Sequence, residues 1–139
     1  MESLKKLKLF FMDQNRDEDS TYLAEKILPS YTSFGFGFYR VELHADGSVI
    51  GICGLIKRET LQWVDVGFAF LEEFRGKGYA FEAAKAVMDH GRTFHGLTRI
   101  VGVTAPDNQI SIRLLQKLGL RFEKRFHLPG YGSESLLFG

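Results

Sequence analysis

The sequence predicts one mixed α/β domain, a single sheet layer with helices packed on it. Three observations carry this. Val64-Asp-Val-Gly-Phe-Ala-Phe-Leu71 holds β-compatible apolar residues at nearly every position, the pattern of a strand buried on both faces. It runs straight into Glu72–Ala80, where Gly76 and Gly78 are interleaved with Arg75 and Lys77, and Ala80 to Met88 then reads as a strong helix former. Asp46-Gly47 between two alternating segments is the sequence signal of a tight β-hairpin. At 139 residues the chain suffices for one domain with a filled core and is too short for two.

The elements follow in order. Residues 4–12 alternate lysines with leucines and phenylalanines, and fit either a short helix or an edge strand. Residues 13–19 are polar and turn-like. Asp19 or Ser20 can cap a helix through about Tyr31, with Tyr22, Leu23, Ile27 and Leu28 on its apolar side and Pro29 near its end. Residues 35–43 alternate as a strand, residues 49–57 return as its partner, and residues 62–71 make the third strand of the meander. A helix starts near Gly78 and ends by Gly91 or Gly96. Residues 99–104 read as another buried strand, which Pro106-Asp107-Asn108 breaks while capping a helix over 109–118 that stops at Gly119. Residues 120–128 are a further strand, 129–132 a turn, and 135–138 a last strand. There are no internal repeats.

Composition removes several function classes. Lys+Arg 18 against Asp+Glu 17 leaves a net charge of +1, so no global field recruits nucleic acid or an anionic membrane. Phe34, Phe36, Phe38 and Tyr39 alternate on one segment, but only Arg40 adds the charge a nucleic-acid reader would interleave, so core packing explains them. The single Cys53 excludes an intramolecular disulfide and fits a reducing cytoplasm. It lies among apolar residues between glycines and reads as a buried, inert thiol. No signal-peptide core and no apolar run of membrane-spanning length appears, so a soluble cytoplasmic protein is expected. No His/Cys/Asp grouping has zinc spacing, so no metal is expected. His44, His90, His95 and His127 read as surface or helix-end residues.

The chemistry concentrates at the glycine-rich turn. A strand ending in such a turn and opening a helix presents unpaired N–H groups and a positive dipole end, a seat for phosphate or pyrophosphate. The turn is neither G-x-G-x-x-G nor a Walker loop. Arg75, Gly78 and Ala80 instead resemble the Arg-x-x-Gly-x-Ala donor loop of GNAT N-acetyltransferases. The strand at 99–104, the Asn108-x-x-Ser111 helix start, and Leu118-Gly119-Leu120-Arg-Phe122 extend the resemblance, specifically to the RimJ/RimL-like branch. Gly51-Ile-Cys-Gly-Leu55 and Gly35-Phe-Gly-Phe38 match that branch too, so the likeness spans roughly residues 19–138.

That resemblance implies a mostly antiparallel central sheet with helices on both faces, acetyl-CoA as donor and an amine as acceptor, either a protein N-terminus or a small molecule. It implies that pantetheine pairs with the backbone of Ala69, Phe70 and Leu71. The pyrophosphate would sit on the N–H groups of Gly76, Lys77, Gly78, Tyr79 and Ala80, with Arg75 and Lys77 adding charge. Asn108 would fix the pantetheine arm and Ser111 would lie near the thiol. Each also has an ordinary role, Asn108 as helix cap and Ser111 as a first-turn residue. The family's general-acid tyrosine falls on Leu115 and its strand glutamate on Val103, so neither carries over. Asp65 is the remaining candidate base, acting on the amine through water, against an ordinary role as a strand-end aspartate.

The family usually has a strand and a helix ahead of the helix placed at Asp19; here only about twenty residues precede it. That suggests a shortened N-terminal piece and an uncovered sheet edge, hence a homodimer using residues 4–12. Two readings stay open: an N-acetyltransferase, and an acyl-CoA-binding module without turnover.

Overall fold

The central apolar run becomes the central strand. The structure, a computed structural model, describes residues 6–11, 37–57, 61–128 and 133–139. Among these residues, seven strands form a sheet in the order β1-β2-β3-β4-β5-β7-β6. These are β1 (Leu7–Phe11), β2 (Gly37–Leu43), β3 (Val49–Ile56), β4 (Val64–Phe70), β5 (Ile100–Thr104), β6 (Phe122–Phe126) and β7 (Ser135–Phe138). Helix α1 (Tyr79–Phe94) links β4 to β5, and α2 (Gln109–Lys117) links β5 to β6. Every strand pairing is antiparallel except β4 with β5.

Local chemistry sets the turns. Between β2 and β3, Gly47 takes φ +73° and the Ser48 N–H donates to Asp46 Oδ1 at 2.9 Å, the hairpin that Asp46-Gly47 predicts. Helix α2 ends as predicted on Gly119, at φ +93°, with the Leu120 N–H donating to the Leu115 carbonyl at 3.1 Å. This closing bond five residues back satisfies a carbonyl the helix leaves open. It also takes Leu120 out of the following strand, which runs Phe122–Phe126 rather than over the whole of 120–128.

Alternation along β4 turns Val64, Val66 and Phe70 into the main core, where they meet Ala83, Ala84, Val87 and Met88 of α1. Paired alanines on the buried stripe of α1 let the helix lie close to the sheet. Leu115 of α2 joins the same core, so α1 and α2 cover one face. On the other face Leu61, Val101 and Leu137 form a smaller cluster with Trp63 and Phe126. The helix expected over 19–31 lies outside the described residues, as do Phe34, Phe36 and the turn at 129–132. Among the described residues no helix is long and apolar enough to cross a membrane.

At the N-terminus the choice between helix and strand resolves. Residues 7–11 form an edge strand, with Leu7 opposite Leu43 and Phe11 opposite Tyr39. Leu7 and Leu9 are buried in the chain's own core. The apolar surface expected to drive pairing between copies is therefore largely covered from within; Phe10, 40% exposed on the opposite side of the strand, has the Arg40 guanidinium over its ring at 5.1 Å.

Gly102 sets how closely α2 approaches β5. A Cβ there would run into Leu115 Cδ2 and lie 3.0 Å from Leu115 Cδ1. Gly102→Val is expected to lower stability by about 1–3 kcal/mol through overpacking. The check is the denaturant midpoint, and an unchanged value would mean that α2 can move away without cost.

Candidate active site

The site begins where two strands part. β4 and β5 pair only at Val64 with Ile100 and at Asp65 with Val101. Beyond those positions β4 stays on β3 up to Phe70 opposite Gly51, while β5 pairs with β7 from Gly102 onward. A wedge opens between the C-terminal halves of the two strands.

Register decides which backbone groups face this wedge. The Leu71 N–H donates to the Ile50 carbonyl at 2.9 Å. Polar groups in an antiparallel ladder point alternately to either side, so those of Ala69 face β3 and those of Phe68 and Phe70 face the wedge. The Phe70 carbonyl there accepts a hydrogen bond from Arg75 Nε at 3.0 Å.

A short 3-10 turn at Glu72–Phe74 follows β4, then Gly76 at φ +77° and Gly78 at φ +83° bring the chain into α1. Both glycines adopt a left-handed conformation that other residues reach only with strain, and no heavy atom lies within 4 Å of a Cβ built at either. The turn and the first residues of α1, with the positive helix end, thus border open space.

Opposite stands α2. Asn108 caps it, with Oδ1 accepting from the Ser111 N–H at 3.1 Å. Between β4, α1 and α2 lies a cleft with adjoining lobes. The inner lobe, about 230 Å³, is lined by Phe68, Ala69, Asn108 and Ser111; the outer, about 320 Å³, by Gly76, Gly78, Tyr79, Phe81, Arg113 and Lys117. Phe70, Arg75, Ala80, Ile110 and Leu114 line both.

The cleft therefore gathers Ala69, Phe70, Arg75, Gly76, Gly78, Tyr79, Ala80, Asn108 and Ser111 from the expected set. It does not gather three others. Leu71 directs its N–H to β3, and Ala69, although it lines the inner lobe, likewise turns the backbone groups expected to pair with pantetheine toward β3. Lys77 lays its ammonium 6.0 Å from the centre of the Phe74 ring. Asp65 is 1% exposed in the closed part of the β4–β5 pair. At ~3.3 Å per residue it lies about 13 Å along the strand from Ala69, so its carboxylate reaches the inner lobe only through intervening groups.

Residues that the sequence reading passed over are Phe68, Phe74, Phe81, Ile110, Arg113, Leu114 and Lys117. Two signals pointed to some of them. Phe68 shares the alternation of Phe70, and Ile110, Arg113, Leu114 and Lys117 repeat at helical spacing along one stripe of α2.

Other titratable groups lie elsewhere. Cys53 is fully buried, and that burial pushes its thiol well above the usual range. His90 packs against Phe94, with ring centres 4.5 Å apart, and meets Tyr39 edge-on; loss of solvent, and then His95, lower its pKa. Leu115 and Val103, at the positions of the family's acid and base, are apolar, and Leu115 is sealed in the core. Among the described residues no group of three or more His, Cys, Asp or Glu could hold a metal.

β4 parts from its parallel neighbour, and a glycine turn and a helix end close the gap, which leaves room for the backbone pairing and the phosphate seat that the resemblance implied. The acetyltransferase (GNAT) domain family matches residues 4–121. The chain belongs to this family. A Bacillus subtilis relative, the uncharacterized N-acetyltransferase YnaD, is 37% identical over 62 residues, 45% of this chain and 36% of that protein. The chain spans about half, or less, of the length of the curated relatives it matches. Among solved structures, a GNAT-family protein from Bordetella pertussis superposes with a TM-score of 0.76 at 21% identity, covering 98% of this chain and 96% of that one. The N152L mutant of the Vibrio cholerae spermidine N-acetyltransferase SpeG gives 0.74 at 15% identity, covering 97% and 93%. At these identities the structures share the GNAT fold with this chain.

Proposed function

We propose that this chain transfers an acetyl group from acetyl-CoA to a primary amine by direct attack, in a RimJ/RimL-like manner. The observation that carries the reading is the end of β4–β5 pairing after Asp65 and Val101. It leaves the backbone of Phe68 and Phe70 facing a wedge that has room beside it, closed by the glycine turn. Bound acetyl-CoA would supply the activated acyl carbon; the chain's own residues bind, orient and exchange protons.

The Phe68 and Phe70 backbone groups offer the pairing edge for an extended amide chain, which needs the Phe70 carbonyl to exchange its Arg75 partner for the incoming donor. The first N–H groups of α1 receive the pyrophosphate. Asn108, held as cap, fixes the start of α2 and brings the Ser111 hydroxyl into the inner lobe. There that hydroxyl can donate a hydrogen bond to the departing sulfur as the N–C bond forms and the C–S bond breaks, stabilising the thiolate, while the hydroxyl keeps its proton. The amine's proton leaves through water. Asp65 enters this scheme only as a distant base acting along such water.

The acceptor is proposed to be a protein N-terminus or a small amine, spermidine being the one named for SpeG, and the setting the cytoplasm. Pairing of two copies along β1, which among the described residues has only β2 beside it, belongs to the same proposal. The apolar Leu115 and Val103 favour a second reading, a donor-binding module without turnover. Release of CoA thiol from acetyl-CoA, followed with polyamines, simple alkylamines and peptides with free N-termini, separates the two. Amine-dependent release is expected. Donor binding with no release on any acceptor would leave the module standing.

A further inference from the structure

The outer lobe carries cations that the proposed chemistry does not use. Arg113 and Lys117 sit one helical turn apart on α2 and both line it. Among the described residues neither has a carboxylate partner. The contrast with the adjoining groove on α1 is direct. There Lys85 Nζ meets Asp89 at 2.9 Å and Arg92 meets the same carboxylate at 3.4 Å, so both cations already share an anionic partner. Lys117 instead rests its ammonium 4.4 Å from the centre of the Phe81 ring. The remaining wall is largely apolar and aromatic, with Phe74, Phe81, Ile110 and Leu114.

Order along the cleft says which part of a ligand would arrive here. The inner lobe holds Ser111 and Asn108, the shared wall holds Phe70 and Ala80, and the outer lobe holds the glycine turn. Along α2, at ~1.5 Å per residue, Arg113 and Lys117 lie about 3 and 9 Å beyond Ser111. A donor whose thioester lies by Ser111 and whose pyrophosphate lies on the turn must place its nucleotide end in the outer lobe. That end has an aromatic base and, in CoA, a ribose 3′-phosphate carrying nearly two negative charges. Unbalanced cations one turn apart beside aromatic rings match both features.

We infer that Arg113 and Lys117 hold the 3′-phosphate of the donor and make the chain discriminate between CoA and 3′-dephospho-CoA. This rests on the donor reading above. Because the cations face solvent, their contribution is screened and falls as salt rises.

Calorimetry with CoA and 3′-dephospho-CoA, on the full chain and on Arg113→Gln, Lys117→Ala and the double variant, tests it. The unaltered chain should bind CoA about tenfold or more tightly than the dephosphorylated form at low salt, the effect of charge-assisted hydrogen bonds at a wet site. The double variant should bind both with the weaker affinity, and Lys117→Arg should retain the preference. Circular dichroism checks that each variant folds; the measured quantity is the ratio of the two ligands within one variant, which a general loss of structure would not move. Equal affinities in the unaltered chain, or a ratio that survives in the double variant, would overturn the inference while leaving the donor site intact. Failure of the unaltered chain to bind either compound would remove the donor reading itself and this inference with it.

Discussion

Gly78→Val should abolish acetyl-CoA binding. Gly78 is the residue before the first turn of α1 and holds φ +83°. Two effects act together on the substitution. An L-residue in the left-handed region costs roughly 1–2 kcal/mol, more for a β-branched one, so the turn shifts its N–H groups. The new side chain also projects into the space left open beside those groups, where no protein atom lies within 4 Å. Gly47→Val is the matching control, since Gly47 has φ +73° and equally open space but lies in the β2–β3 hairpin away from the cleft. Calorimetry should find no measurable binding for Gly78→Val and ordinary affinity for Gly47→Val. Undiminished affinity in Gly78→Val would show that the turn does not seat the donor.

Local rules made much of this fold readable. Asp46-Gly47, Asn108 and Gly119 each impose a conformation through their own backbone or side chain, and each marks a boundary at or within a residue of the one observed. Residues 64–71 were readable because a strand covered on both faces has no polar alternation to confuse with a helix. Long-range pairing was a different matter. That β7 inserts between β5 and β6 depends on Leu136, Leu137 and Phe138 finding partners on both sides, which no local signal encodes. The fate of residues 4–12 likewise turned on whether β2 offered them an edge. The same division runs through the cleft. Residues tied to a glycine turn or a cap were legible, whereas Arg113 and Lys117 carried only the weaker signal of a shared helical stripe, and the cleft between α1 and α2 shows what that stripe lines. For Leu71 the sequence could not tell odd from even: register with β3 directs its N–H away from the wedge.

Ser111→Ala should lower the turnover rate by about 10²–10³ while leaving donor affinity nearly unchanged, the usual loss when a preorganised transition-state hydrogen-bond donor is removed. The substitution is structurally mild. The bond that caps α2 runs from the backbone N–H of Ser111 to Asn108 Oδ1 at 3.1 Å, and alanine keeps that N–H. Alanine also has the highest helix propensity, so the start of α2 should not loosen. Asn108→Ala makes the comparison sharp, because it removes the cap oxygen itself, at a cost of about 1 kcal/mol of stability. Loss of rate in Ser111→Ala without loss of melting temperature would therefore come from the hydroxyl and not from the helix. Single-turnover kinetics on the chain loaded with acetyl-CoA separates the acyl step from product release, which steady-state rates alone do not. A rate constant for that step equal to the unaltered chain's would return Ser111 to the helix and leave water to stabilise the departing sulfur.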